Sequence, residues 1–261
     1  MPPAGRRRNH QCRPVLIPDC DCIVVAGQAT AFCGWHEVRK KGSSVLKRFF
    51  DRKAENEPSI APQGFGGPKV PRHSGAWAAM RKRLKAEPGL RIIDTGPTSP
   101  NNINYLTNLG HSIFLADPVY EAFTGGWQTG VDEDEKPVWN IEGYLNHTFD
   151  FGGRTFDVIL LWTVLDYLPE AFVAPVVDHL FSATNPGGQV LALFHTRSKG
   201  DETTYCKFHV TESDDVEMQE GHPYAIQRAF TNRSIERLFA RWSGFRQFLA
   251  KDSLSEVIIT R

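Results

Sequence analysis

The chain has 261 residues, with 30 basic and 30 acidic side chains, which is enough for one α/β domain with extensions. No apolar run reaches the roughly 18 residues of a membrane-spanning helix, so we expect no membrane span and a cytoplasmic location. The charge is uneven, because residues 1–95 carry 18 basic and 8 acidic side chains and residues 96–261 carry 12 and 22. The basic part could bind nucleic acid, but its basic residues form no helical stripe, which favours a disordered arm.

The first quarter of the chain shows little periodicity. We interpret residues 1–44 as disordered or as an upstream artefact of gene prediction. Four of the five cysteines lie there, without the paired CxxC spacing of a structural zinc site, so no metal site is predicted. Residues 45–75 are rich in proline and glycine and indicate a linker that contains a short helix.

The predicted domain covers residues 76–261. It opens with a helix over about residues 76–85, for which Ser74 is the expected N-cap. An apolar run then ends in Asp94, a helix-length segment follows, and a second apolar run ends in Asp117. This pattern predicts a strand, a helix and a strand, with an acid at the tip of each strand.

The remaining segments alternate between strand and helix patterns. In chain order we predict a short helix from Pro118, an exposed loop over 127–140, a helix or strand over 141–149, strands over 156–162 and 189–194 with a helix over 169–183 between them, a variable hairpin insertion over 197–227, a helix capped by Thr231, and strands over 245–249 and 256–260. Strands that alternate with helices predict a doubly wound, mostly parallel sheet, here closed by a C-terminal antiparallel strand pair.

The order of these elements resembles the class I S-adenosylmethionine-dependent methyltransferases, with their Rossmann-like architecture. In that family an acid and a glycine-rich turn follow the first strand, as Asp94 and Gly96 do here. A second acid closes the next strand, as Asp117 does. Residues 156–169 resemble the family's fourth-strand block, and Asn185-Pro-Gly-Gly188 resembles its turn before the fifth strand. The resemblance implies S-adenosylmethionine as the cofactor.

The first turn departs from the family pattern, which has glycines at three alternate positions. Only Gly96 remains, because Thr98 and Pro100 occupy the other two. Thr98 adds a branched Cβ, and Pro100 lacks an N–H. Proline is tolerated in the first turn of a helix, with Ser99 or Asn101 near the cap. We therefore expect a reshaped turn or weakened cofactor binding.

The resemblance also implies roles for single residues. Asp117 would accept hydrogen bonds from the ribose hydroxyls, although it could instead only cap the helix that begins at Pro118. Asp94 would orient the turn towards the ammonium end of the cofactor, where the backbone of Gly96 and Thr98 would approach the methionine part.

Three further residues complete the predicted site. Trp162 would line the pocket near the transferred methyl group, or it could simply pack in the core. Asn146 stands where the family often has a third acid and could bond an adenine edge, although an ordinary surface asparagine is equally consistent. His195, at the end of the fifth family strand, is the candidate general base, with a strand-end histidine bonded to backbone as the alternative. The histidines of the insertion, His209 and His222, are expected to be exposed.

Our first functional hypothesis is methyl transfer from S-adenosylmethionine to an unidentified acceptor. The second, suggested by Thr98 and Pro100, is a catalytically inactive scaffold kept for binding or regulation. A nicotinamide-dependent oxidoreductase ranks lower because its glycine fingerprint is absent. No phosphate-binding loop is found, and no serine or cysteine nucleophile has a matching base.

Overall fold

The computed structural model describes residues 24–25, 66–196, 204–250 and 252–261. The strands within these ranges are β1 (Val24–Val25), β2 (Lys69–His73), β3 (Arg91–Thr95), β4 (Ser112–Ala116), β5 (Gln128–Val131), β6 (Pro137–Trp139), β7 (Phe156–Trp162), β8 (Thr184–His195), β9 (Cys206–Val210), β10 (Asp215–Glu220), β11 (Gly244–Phe248) and β12 (Leu254–Thr260). The helices are α1 (Gly75–Ala86), α2 (Pro100–Asn108), α3 (Pro118–Thr124), α4 (Ile141–Thr148), α5 (Val164–Tyr167), α6 (Glu170–Ala183) and α7 (Asn232–Leu238).

The central sheet has seven strands in the order β1-β4-β3-β7-β8-β12-β11. Its first five strands pair in parallel, and the last two join them antiparallel. The predicted doubly wound sheet with a C-terminal antiparallel pair is therefore confirmed. The chain runs from β3 to β4 on one side and later returns to β7 on the other. The carboxyl end of β3 is thus a topological switch point, where ligands bind in sheets of this kind.

Strand β7 shows why the sheet is covered on both faces. Its alternate side chains enter two separate core clusters. Val158 and Leu160 pack on the side of α1, whereas Ile159 and Leu161 pack on the side of α6. All four are fully buried, as the near-continuous apolar run predicts for a strand covered on both faces.

A second, antiparallel sheet has the order β2-β10-β9. The hairpin of β9 and β10 agrees with the hairpin predicted within 197–227, but strand β2 lies where proline content predicted only linker. Pro71 is part of β2 and pairs opposite Glu217. Since β2 is an edge strand, a residue without an N–H is tolerated there. Phe208 and Val216 of the hairpin join the core cluster that contains α1.

The prediction of a simple loop over residues 127–140 is wrong. β5 and β6 form an antiparallel ribbon there, with a register irregularity near Gln128. Most of its residues are exposed, so the ribbon lacks the alternation of apolar and polar residues that reveals a half-buried strand. Trp127 and Trp139, at its two ends, pack against the main core.

Predictions for residues 1–44 and for the short helix near residue 46 fall outside the described residues, apart from the strand β1. Within the described ranges, no helix is both long and apolar enough to cross a membrane.

Candidate functional site

The turn after β3 is built around one glycine. Gly96 has a φ of +112°, and its N–H donates to Ala116 O at 2.7 Å, which ties the turn to the end of β4. Thr98 is exposed and does not adopt a positive φ. A side chain is therefore compatible with the backbone at position 98, so this turn does not need the second glycine of the family pattern.

The third glycine position is explained by helix capping. Ser99 is the N-cap of α2, and its Oγ accepts from Asn102 N at 3.2 Å, so Pro100 falls in the first turn, as anticipated. This arrangement leaves fewer free donors at the helix start, because Pro100 has no N–H and the N–H of Asn102 is already bonded. The helix therefore offers less to an anionic ligand than an uncapped glycine-rich turn would.

Asp94 is the acid of β3. It is 4% exposed, and its carboxylate accepts hydrogen bonds from two side chains. Its Oδ1 accepts from Trp162 Nε1 and its Oδ2 from Asn102 Nδ2, each at 2.8 Å. Burial raises the pKa of Asp94 to about 6, and these two hydrogen bonds oppose the shift. Asp94 is thus an incompletely compensated carboxyl at the switch point.

Trp162 ends β7 with a φ of +49°, which is a genuine outlier for a bulky residue. Its indole stacks on the ring of Phe208, with the ring centroids 4.9 Å apart and the planes 2° from parallel. The strained backbone therefore directs the indole between Asp94 and the hairpin. The alternative of core packing is observed for Trp162, while a place near the transferred methyl group stays a prediction.

Asp117 directly follows β4 and caps α3, with its Oδ1 accepting from Tyr120 N at 3.1 Å. The same oxygen accepts from Tyr205 Oη at 3.4 Å. Burial raises the pKa of Asp117 to about 6. Asp94 lies in β3 and pairs with Leu115 of the adjacent parallel strand β4, two residues before Asp117. The structure therefore brings both acids to one edge of the sheet.

Strand β9 covers this edge. Asn102 fixes its position, because Asn102 Nδ2 donates to Phe208 O at 3.1 Å and Asn102 Oδ1 accepts from Val210 N at 2.7 Å. A Cβ added at Gly96 would lie 3.2 Å from Tyr205 Oη, so this tyrosine approaches the turn closely. The covering strand is a part of the site that the sequence pattern did not reveal.

His209 corrects one sequence prediction, because it is only 3% exposed. Its Nδ1 is 2.8 Å from Ser99 Oγ and its Nε2 is 3.1 Å from Gln219 Oε1. Burial lowers its pKa, which favours the neutral ring. The polar composition of the insertion concealed this contact, which spans 110 positions of sequence.

His195 lies at the end of β8 and contacts a carboxylate rather than only backbone. Its Nδ1 is 2.6 Å from Oδ2 of Asp166, and its own backbone N–H donates to the same oxygen at 2.7 Å. Asp166 is fully buried in α5. Sequence reasoning did not pair these residues. His195 is the last residue of β8, and Asp166 lies in α5, just after the end of the neighbouring strand β7.

Asn146 lies apart from this buried group. It is on the exposed side of α4, while the sheet position beyond β4 is occupied by β1. The chain between β4 and β7 forms α3, the ribbon and α4 instead of a further strand of the central sheet.

Two comparisons address the whole sequence. A family model described as a methyltransferase domain matches residues 35–248, which is most of the chain. A comparison with curated proteins gives no significant match.

Solved structures give distant matches. TehB from Haemophilus influenzae is 13% identical with a TM-score of 0.39, over 70% of this chain and 62% of that protein, so this chain spans less than two thirds of it. A SAM-dependent methyltransferase from Methanosarcina mazei is 15% identical with a TM-score of 0.39, over 67% and 93%. Magnesium protoporphyrin IX methyltransferase from Synechocystis, with bound SAM, is 14% identical with a TM-score of 0.39, over 71% and 77%. Matches this distant carry no functional detail to this chain.

Proposed function

Because this chain belongs to the methyltransferase domain family, we propose that it transfers a methyl group from S-adenosylmethionine to an acceptor bound beside the carboxyl edge of the central sheet. One observation carries the proposal. Asp94 and Asp117 are acids at the carboxyl ends of two adjacent parallel strands at the switch point, and burial raises the pKa of each to about 6. Carboxylates of this kind bind hydroxyl and ammonium groups, as the hydrogen bond from Tyr205 Oη to Asp117 illustrates.

The residues of this edge suit the cofactor. Asp117 would accept from the ribose hydroxyls, in the place where Tyr205 Oη now donates. Gly96 supplies the close backbone approach, and Asp94 and Thr98 complete the turn that would face the methionine part. Trp162, fixed by its bond to Asp94, would form the wall near the methyl group. Asn146 is exposed on α4, and its contact with an adenine edge stays a prediction.

When bound, S-adenosylmethionine supplies a methyl group that is already activated by its sulfonium, so much of the rate can come from alignment. The chain's part is then to hold the acceptor in line and to exclude water. The buried rings of Trp162, Phe208 and Tyr205 form an apolar cover over the edge. His195 is the group that could accept a proton, should the acceptor carry one.

Isothermal titration with S-adenosylhomocysteine tests cofactor binding. We expect saturable binding to the unsubstituted chain, and a roughly 10- to 100-fold weaker affinity for Asp117→Asn, because hydrogen bonds to a charged acceptor would be lost. The amide oxygen of the asparagine can still cap α3, so the variant should fold.

Asp150→Asn is the matched control, since Asp150 is exposed and, among the residues that the structure describes, bonds a local backbone N–H, that of Gly152, at 3.1 Å. Its affinity should equal that of the unsubstituted chain. If millimolar S-adenosylhomocysteine gives no heat with the unsubstituted chain, cofactor binding is contradicted, and the inactive scaffold becomes the better hypothesis.

A further inference from the structure

The ends of β7 and β8 bring together an acid and a histidine that form a dyad. The Oδ2 of Asp166 is 2.6 Å from Nδ1 of His195. Asp166 is completely buried, whereas the His195 side chain is 18% exposed. A buried carboxylate beside Nδ1 favours the tautomer that carries its proton there, which leaves a lone pair on Nε2.

The carboxylate of Asp166 is dedicated to this histidine. Its Oδ1 is buried and has no hydrogen-bond partner among the described residues, and its Oδ2 accepts from the ring and the backbone of His195. The backbone carbonyl of Asp166 accepts from Gln227 N at 2.8 Å and from Arg228 N at 3.3 Å, which also holds the backbone of this residue in place. Asp166 therefore holds the imidazole without competing partners.

Tyr167 connects the dyad to the proposed cofactor site. The Tyr167 ring meets His195 edge to face at 5.9 Å between centroids, and it lies 5.0 Å from the ring of Tyr205. Tyr205 in turn donates to Asp117. Tyr167 gives its own hydroxyl to Thr204 O at 3.1 Å, so it does not bond the imidazole. Within the described part of the chain, no residue bonds Nε2 of His195.

We propose, building on the methyl transfer proposed above, that His195 is a general base, that Asp166 is its positioning residue, and that the acceptor presents a hydroxyl group that is protonated at neutral pH. In the step, the hydroxyl oxygen forms the bond to the methyl carbon. The carbon–sulfur bond breaks with its electron pair left on sulfur, and the hydroxyl proton moves to Nε2. The imidazolium that forms is stabilised by the Asp166 carboxylate.

Acceptors differ in whether they need a base to remove a proton, and this difference indicates the acceptor class. A carboxylate acceptor is already an anion at neutral pH, and a thiol ionises readily, so neither requires a positioned histidine. A phenol-type hydroxyl, with a pKa of about 10, does require one. Among these oxygen and sulfur acceptors, a hydroxyl is therefore the one that best fits an imidazole oriented by a buried acid.

Nitrogen-15 spectra of histidine in the full chain test the positioning without any substrate. We expect His195 to carry its proton on Nδ1, with a shift towards the other tautomer in Asp166→Asn. Asp178→Asn, which alters an exposed acid paired with Arg241, should leave the His195 signals unchanged. A tautomer with its proton on Nε2 in the unsubstituted chain would overturn the proposal.

A second measurement compares methylation of a neutral phenol with that of the matching thiophenol, using methyl-labelled S-adenosylmethionine. Asp166→Asn and His195→Gln should lower kcat for the phenol by about 10²- to 10⁴-fold and affect the thiophenol far less, with His179→Gln as the control. Equal losses for both acceptors would overturn the role of base. If the variants still bind S-adenosylhomocysteine with unchanged affinity, such a result would contradict the general base and leave the cofactor proposal intact. If neither probe reacts, the histidine spectra decide whether Asp166 positions His195.

Discussion

Asp94 and Trp162 depend on each other. The φ of +49° at Trp162 persists because its indole N–H reaches Asp94 and its ring stacks on Phe208. Backbone strain of this kind costs on the order of 1–3 kcal/mol and is found mainly at functional sites. Asp94 adds a second cost, because burial favours its protonated form. Both costs fall at the switch point, where a ligand could offset them.

The raised pKa of Asp94 predicts a pH dependence of stability. A carboxyl whose pKa rises from 3.8 to about 6 on folding binds more protons in the native state between these values. The stability that this extra proton binding contributes is fully present below pH 4 and is lost as the pH rises to about 6. Above that pH the group no longer changes the stability. Relative to Asp94→Asn, the unsubstituted chain should lose up to about 3 kcal/mol over this window, measured by urea unfolding.

The difference between the two curves isolates Asp94, because any mismatch between the new amide and Asn102 is independent of pH. A flat difference curve for Asp94→Asn would show that this carboxyl titrates normally in the native state.

At the scale of elements, the hairpin of β9 and β10 changes the interpretation of the site. Composition predicted a variable insertion over 197–227, yet β9 is tied to α2 by the Asn102 side chain and to β7 by the stacking of Phe208 on Trp162. It also places Tyr205 Oη on the carboxylate assigned to the ribose. The Tyr205 hydroxyl and the ribose of the cofactor would therefore donate to the same carboxylate, that of Asp117.

This competition predicts that Tyr205→Phe binds S-adenosylhomocysteine more tightly. Removal of one hydrogen bond of about 0.5–1.5 kcal/mol should raise the affinity roughly 2- to 10-fold in isothermal titration. Tyr224→Phe is the control, because Tyr224 lies beside Tyr205, with ring centroids 6.1 Å apart, but makes no hydrogen bond to Asp117. A weaker affinity for Tyr205→Phe would mean that this hydroxyl contacts the bound cofactor instead of competing with it.

At the scale of the molecule, one buried acid joins the small sheet to the central sheet. Glu256 of β12 is 1% exposed and accepts from Arg72 Nη1 in β2, from Ser74 Oγ at 3.0 Å and from Ala76 N at 2.8 Å. Arg72 also bonds Asp252, through Nη2 and Oδ1 at 2.9 Å. Desolvation opposes the charge of Arg72, but the two carboxylates outweigh it and raise its pKa.

Removal of this charge should weaken the whole molecule. Glu256→Gln removes one of the two carboxylates that compensate Arg72 and leaves Asp252 in place, and a hydrogen bond to a charged group contributes about 1.5–3 kcal/mol. We expect a lower midpoint of urea unfolding with an unchanged m-value. Glu170→Gln, which removes an exposed partner of Arg228, should cost less than about 1 kcal/mol. Equal losses for the two variants would contradict a structural role for the buried network.

The sequence by itself determined what depends on neighbouring residues. Ser74, Ser99 and Thr231 cap helices because a hydroxyl reaches an N–H three residues ahead. Apart from β1, which lies in the segment interpreted as disordered, the strands of the central sheet and their order in the chain follow from apolar runs separated by helix patterns. The acids at the tips of β3 and β4 follow from the same pattern. Residue spacing alone was therefore enough to locate the fold and the edge that carries the candidate site.

Only the tertiary structure decided what covers that edge and what faces it. The pairing of β2 with β10, the burial of His209 against Ser99, and the contacts of β9 with Asn102 join segments more than 100 positions apart. The dyad of Asp166 and His195 depends on two strand ends that become neighbours only in the sheet. Local propensity does not predict such contacts, because their stability comes from burial and hydrogen bonds that exist only after the chain has folded.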